Sequence, residues 1–156
     1  MKILFFWFNF NCQSIGMNIG VSILSRELKD AGHSVKVIHL SEMLGYDFDM
    51  NRILKDCEEF DPDIFALSFG SNHYVYAMKL SRALKLRFPE KTILCGGIHT
   101  TLNPEMVMGE SAVDIVGLGE VDGGHLVQFI RSLSDKNHYK TFSNFWIKEN
   151  GAQYVV

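Results

Sequence analysis

The chain has 156 residues, of which 47% are hydrophobic and 21% charged, as in a single globular domain and unlike a disordered segment. Its 15 basic and 18 acidic residues give a net charge of -3, which argues against a nucleic-acid binder. The longest apolar run, Ile3 to Phe8, is too short for a membrane span or a signal peptide, and three widely spaced cysteines favour no disulfide framework. We therefore expect a cytoplasmic protein that binds neither nucleic acid nor membrane.

The apolar residues alternate between the periods of strands and helices along the chain. Residues 2–8 form a continuous aromatic and β-branched run, typical of a strand buried on both faces. The pattern then predicts a helix that Ser14 caps and Gly32 ends. Its apolar face consists of Ile15, Ile19, Ile23, Leu24 and Leu28. The next four segments are predicted as strand, helix, strand and helix, at residues 33–40, 49–60, 63–69 and 74–88.

The second half of the chain continues this alternation. It predicts a strand at 91–95 closed by Gly96-Gly97, a short helix at 104–108, a strand at 114–118, a helix at 123–133 and two short strands within 142–156. Strands that alternate with helices form a parallel sheet through right-handed crossovers. We therefore expect an α/β, flavodoxin-like (Rossmann-like) fold. Its five-stranded parallel sheet has the order 2-1-3-4-5, with helices on both faces and a short C-terminal hairpin. We expect one domain at 1–140 and a linker hairpin at 141–156.

In such a sheet, ligands bind beyond the carboxyl ends of the strands. The residues that follow the strands are small or neutral, with several glycines and no lysine or arginine, so a bulky ligand can approach the backbone. The cofactor-binding candidates among them are Asn9, Asn11, Cys12, Gln13, Ser14, Ser68, Ser71, Asn72, Gly96, Gly97, His99, Gly117, Gly119 and Glu120. Gly97 is expected to be a point of close approach by the ligand. No paired carboxylates and no nucleophile with a base can be assembled, so neither a catalytic residue nor a metal ligand is predicted.

Three known uses of this fold require particular residues at these positions. A response-regulator receiver needs an acidic cluster after strand 1, an aspartate ending strand 3 and a lysine ending strand 5, where this chain has Asn9, Phe69 and Leu118. A flavodoxin needs a hydroxyl-rich phosphate loop after strand 1, and residues 11–16 contain one hydroxyl. A dinucleotide fold needs G-x-G-x-x-G after strand 1, whereas the G-x-G of this chain follows strand 5.

A fourth pattern fits better. Residues 96–101 read G-G-I-H-T-T, residues 104–105 read P-E, and residues 113–120 read V-D-I-V-G-L-G-E. This resembles the N-terminal cobalamin-binding domain of cobalamin-dependent radical S-adenosylmethionine (SAM) proteins, which typically reads G-G-x-H-x-T, P-E and D-x-V-x-G-E-G-E. Leu118 replaces the first glutamate of that pattern. The segments at 61–64, 68, 72–74 and 145–155 also resemble the family.

The resemblance implies a cobalamin site at the carboxyl edge of the sheet. The nucleotide tail would lie near Ser68, Ser71, Gly96 and Gly97, with Gly117, Gly119 and Glu120 alongside. The loop from Asn9 to Ser14 would face the lower side of the corrin. Many cobalamin domains carry D-x-H-x-x-G in this loop and ligate cobalt through its histidine, which this chain lacks. The expected state of the cofactor is therefore base-off and His-off.

The full-length family also carries a C-x-x-x-C-x-x-C motif, which holds a 4Fe-4S cluster and splits SAM. Three scattered cysteines cannot supply that motif. We therefore expect a non-catalytic module of a longer enzyme for methyl transfer or rearrangement, with SAM and the cluster in a radical SAM catalytic domain in cis. The alternatives are a flavodoxin-like flavin-binding electron carrier and an interaction domain that has no ligand.

Overall fold

The computed structural model describes residues 1–10, 16–133, 141–149 and 152–155. Its seven strands are β1 (Lys2–Phe8), β2 (Ser34–Leu40), β3 (Ile64–Ser68), β4 (Thr92–Gly96), β5 (Ile115–Gly117), β6 (Phe145–Glu149) and β7 (Ala152–Val155). They form one sheet of order β2-β1-β3-β4-β5-β6-β7, in which β1 to β5 are parallel and β6 and β7 antiparallel. The predicted flavodoxin-like order and the C-terminal hairpin are confirmed. The hairpin extends the sheet, because β6 pairs with β5.

The helices cover both faces of the sheet, as the alternating pattern predicts. They are α1 (Ile19–Asp30), α2 (Met50–Phe60), α3 (Tyr74–Arg87), α4 (Ile98–Leu102), α5 (Pro104–Gly109) and α6 (His125–Ser132). The sequence pattern does not predict α4, because five residues are too few to show a helical period. Within the described ranges, no helix is long and apolar enough to cross a membrane.

The start of α1 differs from the prediction. Its N-cap is Asn18, whose side-chain Oδ1 accepts a hydrogen bond from the Val21 N–H at 3.0 Å. The prediction that Ser14 caps this helix is therefore wrong. Asparagine and serine are equally good caps, so the choice between two nearby candidates depends on where the preceding loop ends.

The buried face of α1 also differs from the predicted face. Val21 and Leu28 are buried, whereas Ile19 is 74% exposed and Ile23 is 40% exposed. Ile15, the first residue of the predicted face, lies outside the described residues. A helical period shows that an apolar face exists, but the rotation of the helix against the sheet decides which part of it is covered.

Two apolar cores lie on opposite faces of the sheet, because successive side chains of a strand point in opposite directions. The larger core packs Leu4 and Phe6 of β1 against α2, α3 and α5. The smaller core packs Ile3 and Phe5 against α1 and α6. The candidate site lies on the α1 and α6 face, beyond the smaller core.

Candidate ligand-binding site

A cavity of about 590 Å³ opens at the carboxyl edge of the sheet, between the first turns of α1 and the segment that leads into α6. Its floor is one row of residues across neighbouring strands. Trp7 of β1 pairs with Ser68 of β3, and Ser68 pairs with Gly96 of β4. Gly117 ends β5 and lines the same cavity. Beyond Trp7, this row therefore carries one hydroxymethyl group and otherwise bare backbone, and Phe5, Ala66 and Leu94 of the next row inward also line the cavity.

The two glycines of the floor differ in what surrounds them. Apart from Gly96 itself and its two chain neighbours, no heavy atom of the described residues lies within 4 Å of the position where a Cβ of Gly96 would be, so the space above this residue is open. A Cβ on Gly117 would lie 3.5 Å from the ring of Phe145. The open part of the floor is thus centred on Gly96 and bounded at β5 by an aromatic ring.

Aromatic side chains bound the floor on both sides. Trp7 stands at the β1 side, and the His39 ring stacks on it with a centroid distance of 3.8 Å. Phe145 of β6 stands at the other side and stacks on Phe129 of α6 at 3.7 Å. Each wall residue that touches the cavity is therefore held by a second ring behind it.

Apolar side chains form the mouth of the cavity. Ile19 and Ile23 of α1 reach it from one side and Ile98 of α4 from another, and Ile98 is 63% exposed. Exposed isoleucine at the rim of a cavity leaves apolar surface in water that a ligand can cover. Two acidic residues, Glu120 and Asp122, also line the cavity.

Gly97 packs closely against the backbone of the neighbouring strand end. Its φ is +96°, and a Cβ there would lie 2.8 Å from the carbonyl oxygen and 2.9 Å from the amide nitrogen of Phe69. The backbone of Phe69 therefore occupies the side of Gly97 on which a side chain would stand, and contact between a ligand and Gly97 stays a prediction. Gly97 lines the cavity, but the open space lies at Gly96.

Hydrogen bonds join the loops that follow β4 and β5. The Thr101 hydroxyl donates to the Gly97 carbonyl at 3.2 Å and accepts from the Gly119 N–H at 2.9 Å. The Leu118 N–H donates to the carbonyl of Asn144, just before β6, at 2.8 Å. The position of the Gly117–Glu120 segment is therefore fixed from two sides.

The structure brings six of the predicted site residues together around the cavity. These are Ser68, Gly96, Gly97, Gly117, Gly119 and Glu120. Four others lie outside its lining, namely Asn9, Ser71, Asn72 and His99. The remaining four, Asn11, Cys12, Gln13 and Ser14, lie outside the described residues. Contact of any of these residues with a ligand stays a prediction.

The four residues outside the lining have contacts within the protein. The N–H of buried Asn9 donates to the Leu40 carbonyl at 2.9 Å. The exposed side chain of Asn72 has its Nδ2 3.4 Å from His73 Nε2. Ser71 Oγ lies 2.9 Å from His99 Nδ1.

His73 and His99 are buried and do not line the cavity. His99 packs against the ring of Tyr74 at 4.8 Å, and burial lowers the pKa of its imidazole. The Phe10 N–H donates to His73 Nε2 at 3.2 Å. Among the residues that the structure describes, no histidine or cysteine lines the cavity.

The residues of the walls and the mouth are not among the site residues predicted from the sequence. Trp7 and Phe145 are the main wall residues, and Ile19, Ile23 and Ile98 form the mouth. One signal could have found part of the mouth. Ile19 and Ile98 each begin a helix at the carboxyl edge of the sheet, and the core does not cover the first residue of such a helix.

Comparison with known proteins identifies the family of the chain. The B12 binding domain family matches residues 9–126. An uncharacterized methyltransferase of Pyrococcus horikoshii, PH0819, is 28% identical over 139 residues, which are 87% of this chain and 29% of that protein. The chain thus spans less than a third of this curated relative.

Two solved structures share the fold over nearly the whole chain. The cobalamin-dependent SAM radical enzyme OxsB, with aqua-cobalamin and SAM bound, matches 99% of this chain and 22% of its own, with 18% identity and a TM-score of 0.77. The radical SAM methyltransferase TsrM of Kitasatospora setae matches 99% of this chain and 30% of its own, with 13% identity and a TM-score of 0.75. At these identities the likeness shows a shared fold.

Proposed function

The chain belongs to the B12-binding domain family, and from this premise we propose that it holds cobalamin for a radical SAM catalytic domain in the same polypeptide. The observation that carries the proposal is the open floor at the carboxyl edge, where Ser68, Gly96 and Gly117 place almost no side chain between the ligand and the backbone. A cavity of this kind accepts a large neutral or weakly charged group that lies flat against the sheet.

The residues around the cavity fit cobalamin. The backbone at Gly96 leaves room for the nucleotide tail, and the hydroxyl of Ser68 offers a hydrogen bond beside it. Ile19 and Ile98 provide apolar contacts at the mouth for the wider corrin ring. When bound, the cofactor supplies a cobalt that carries a methyl group or takes part in a rearrangement.

The role of a carrier for a catalytic domain rests on two further observations. The chain spans 22% of OxsB, 30% of TsrM and 29% of the methyltransferase PH0819, all of which are longer proteins. The two described cysteines are buried, and burial raises the pKa of the Cys57 thiol to about 12. A buried, protonated thiol is a poor iron ligand, so SAM and the 4Fe-4S cluster would be held by the catalytic domain. TsrM and PH0819 are described as methyltransferases, which favours methyl transfer as the reaction of the whole protein.

Titration of the purified chain with hydroxocobalamin tests the proposal. We expect a red complex that stays with the protein through gel filtration, with a cobalamin-to-protein ratio near one. A matched titration with flavin mononucleotide is expected to leave the protein colourless. Retention of flavin would support the electron-carrier alternative, and retention of neither compound would support an interaction domain without a ligand.

The coordination of cobalt gives a second prediction. His73 and His99 are turned into the protein, and the sequence has no histidine between residues 9 and 32. We therefore expect bound cobalamin to be base-off and His-off, with an open or water-bound lower face. Amide and hydroxyl groups are poor ligands for low-valent cobalt.

Electron paramagnetic resonance of the Co(II) complex checks this state. We expect no nitrogen superhyperfine splitting, since neither an imidazole nor the cofactor's own base would coordinate. Free Co(II) cobalamin at neutral pH, with its base coordinated, is the positive control for the splitting. A nitrogen splitting in the protein complex would contradict the prediction, and its loss in a His39→Gln, His73→Gln or His99→Gln variant would identify that histidine as the ligand.

A further inference from the structure

Trp7 occupies a special place at the end of the cavity floor. It lies in β1 between two partners in register, His39 of β2 and Ser68 of β3. The imidazole of His39 stacks on the indole with a centroid distance of 3.8 Å and an angle of 25° between the rings. Because β1 lies between β2 and β3, the indole face opposite His39 is turned towards Ser68 and the cavity.

The position of His39 is explained by this stacking and not by hydrogen bonds of its distal nitrogen. Its Nε2 is buried and has no hydrogen-bond partner among the described residues. Burial lowers the pKa of His39, so the ring is neutral near pH 7. A neutral imidazole packed flat against indole fixes the orientation of the larger ring.

The space in front of Trp7 suits a flat group. Ser68 has a small side chain and Gly96 has none, so the space above them is open. Ile23 and Leu24 of α1 cover this space from one side. A planar heteroaromatic ring that enters this space can stack on the free face of the indole. The tail of cobalamin ends in such a ring, a benzimidazole.

On the basis of the proposed function, we infer that Trp7 recognises the planar base of the corrinoid tail by stacking and that His39 positions Trp7 for this contact. The site then selects corrinoids that carry an aromatic base over those that lack one. Stacking of a base on an aromatic side chain tolerates different bases, because every base has a π-face. The selection therefore concerns the class of corrinoid and not benzimidazole alone.

The test compares hydroxocobalamin with cobinamide, which has the corrin ring but no nucleotide base. We expect Trp7→Ala to weaken cobalamin binding by at least about tenfold, equivalent to about 1.4 kcal/mol, and cobinamide binding by less than about threefold. Trp7→Phe keeps an aromatic face and is expected to retain most of the preference. His39→Ala is expected to reduce the preference, and His39→Phe to restore it.

Trp146→Phe is the matched control, because Trp146 lies in β6 and packs against the core on the other face of the sheet. It is expected to leave both affinities unchanged. If Trp7→Ala does not fold, Trp7→Leu serves as the second non-aromatic variant, with folding checked by circular dichroism. Equal losses for the two corrinoids, or no loss in a folded variant, would overturn the inference while leaving the proposed function standing. Failure of the unaltered chain to bind cobalamin would contradict the proposed function itself and remove the inference with it.

Discussion

Replacing Gly96 with leucine is expected to abolish most cobalamin binding while leaving the protein folded. In the part of the chain that the structure describes, no heavy atom other than those of Gly96 and its chain neighbours lies within 4 Å of the position where its Cβ would be. Its φ is not in the left-handed region, so the backbone accepts a side chain. The new isobutyl group would occupy the open part of the floor between Ser68 and Gly117. We expect the dissociation constant for hydroxocobalamin to rise by about a hundredfold or more, equivalent to about 2.7 kcal/mol.

Gly109→Leu is the control for this variant. Gly109 ends α5 and lies outside the cavity lining, and a Cβ at this position would likewise meet no heavy atom of the described residues within 4 Å beyond its chain neighbours. Both variants are expected to keep the thermal midpoint of the unaltered chain within a few degrees. Unchanged cobalamin affinity in folded Gly96→Leu would mean that the ligand does not use this floor.

Replacing Gly97 with alanine is expected to produce the opposite result, a large loss of stability. Its backbone angles, φ +96° and ψ -178°, belong to a region that is nearly restricted to glycine. The added methyl group would also lie 2.8 Å from the Phe69 carbonyl oxygen, closer than van der Waals contact allows. Strain and clash together are expected to lower the free energy of unfolding by about 3 kcal/mol or more.

Urea denaturation of Gly97→Ala beside Gly96→Ala measures this difference. The neighbouring variant adds the same methyl group in open space, so its free energy of unfolding is expected to stay within about 1 kcal/mol of the unaltered chain. Equal stabilities of the two variants would show that the backbone near Phe69 can move away from residue 97.

Part of this site could be predicted from the sequence, because the apolar pattern shows where the strands end. The predicted and observed ends of β3 and β4 agree within one residue, and both expose a small residue, Ser68 and Gly96, at the carboxyl edge. Glycines that follow strands are visible without knowledge of the tertiary structure. The floor of the cavity could therefore be predicted.

The walls could not be predicted, because they depend on relations between distant segments. His39 reaches Trp7 only through the register of β1 and β2, which lie about thirty positions apart in the chain. Phe145 reaches Gly117 only because the C-terminal hairpin pairs with β5. A shift of one residue in either register would turn the ring to the other face of the sheet.

The different surroundings of Gly96 and Gly97 could not be predicted from the sequence either. The two glycines stand side by side at the end of β4, and nothing in the sequence distinguishes their environments. The distinction arises from the path of the backbone at Phe69, which lies against one glycine and not the other. Local sequence shows where backbone freedom is needed, whereas the tertiary structure shows which neighbour requires it.

The pairing of β6 with β5 has a thermodynamic consequence. Phe145 is fully buried, forms one end of the cavity and is stacked on Phe129, so the hairpin contributes a wall to the site that the parallel strands cannot supply. A ligand held beside this wall binds the protein more tightly when the hairpin is paired with β5 than when the hairpin is detached. Ligand binding therefore stabilises the pairing by mass action. The coupling is reciprocal, so detaching the hairpin from β5 must lower the affinity for the ligand by the same factor. The two equilibria are reciprocal, so the hairpin edge of the sheet can act as a reporter of occupancy.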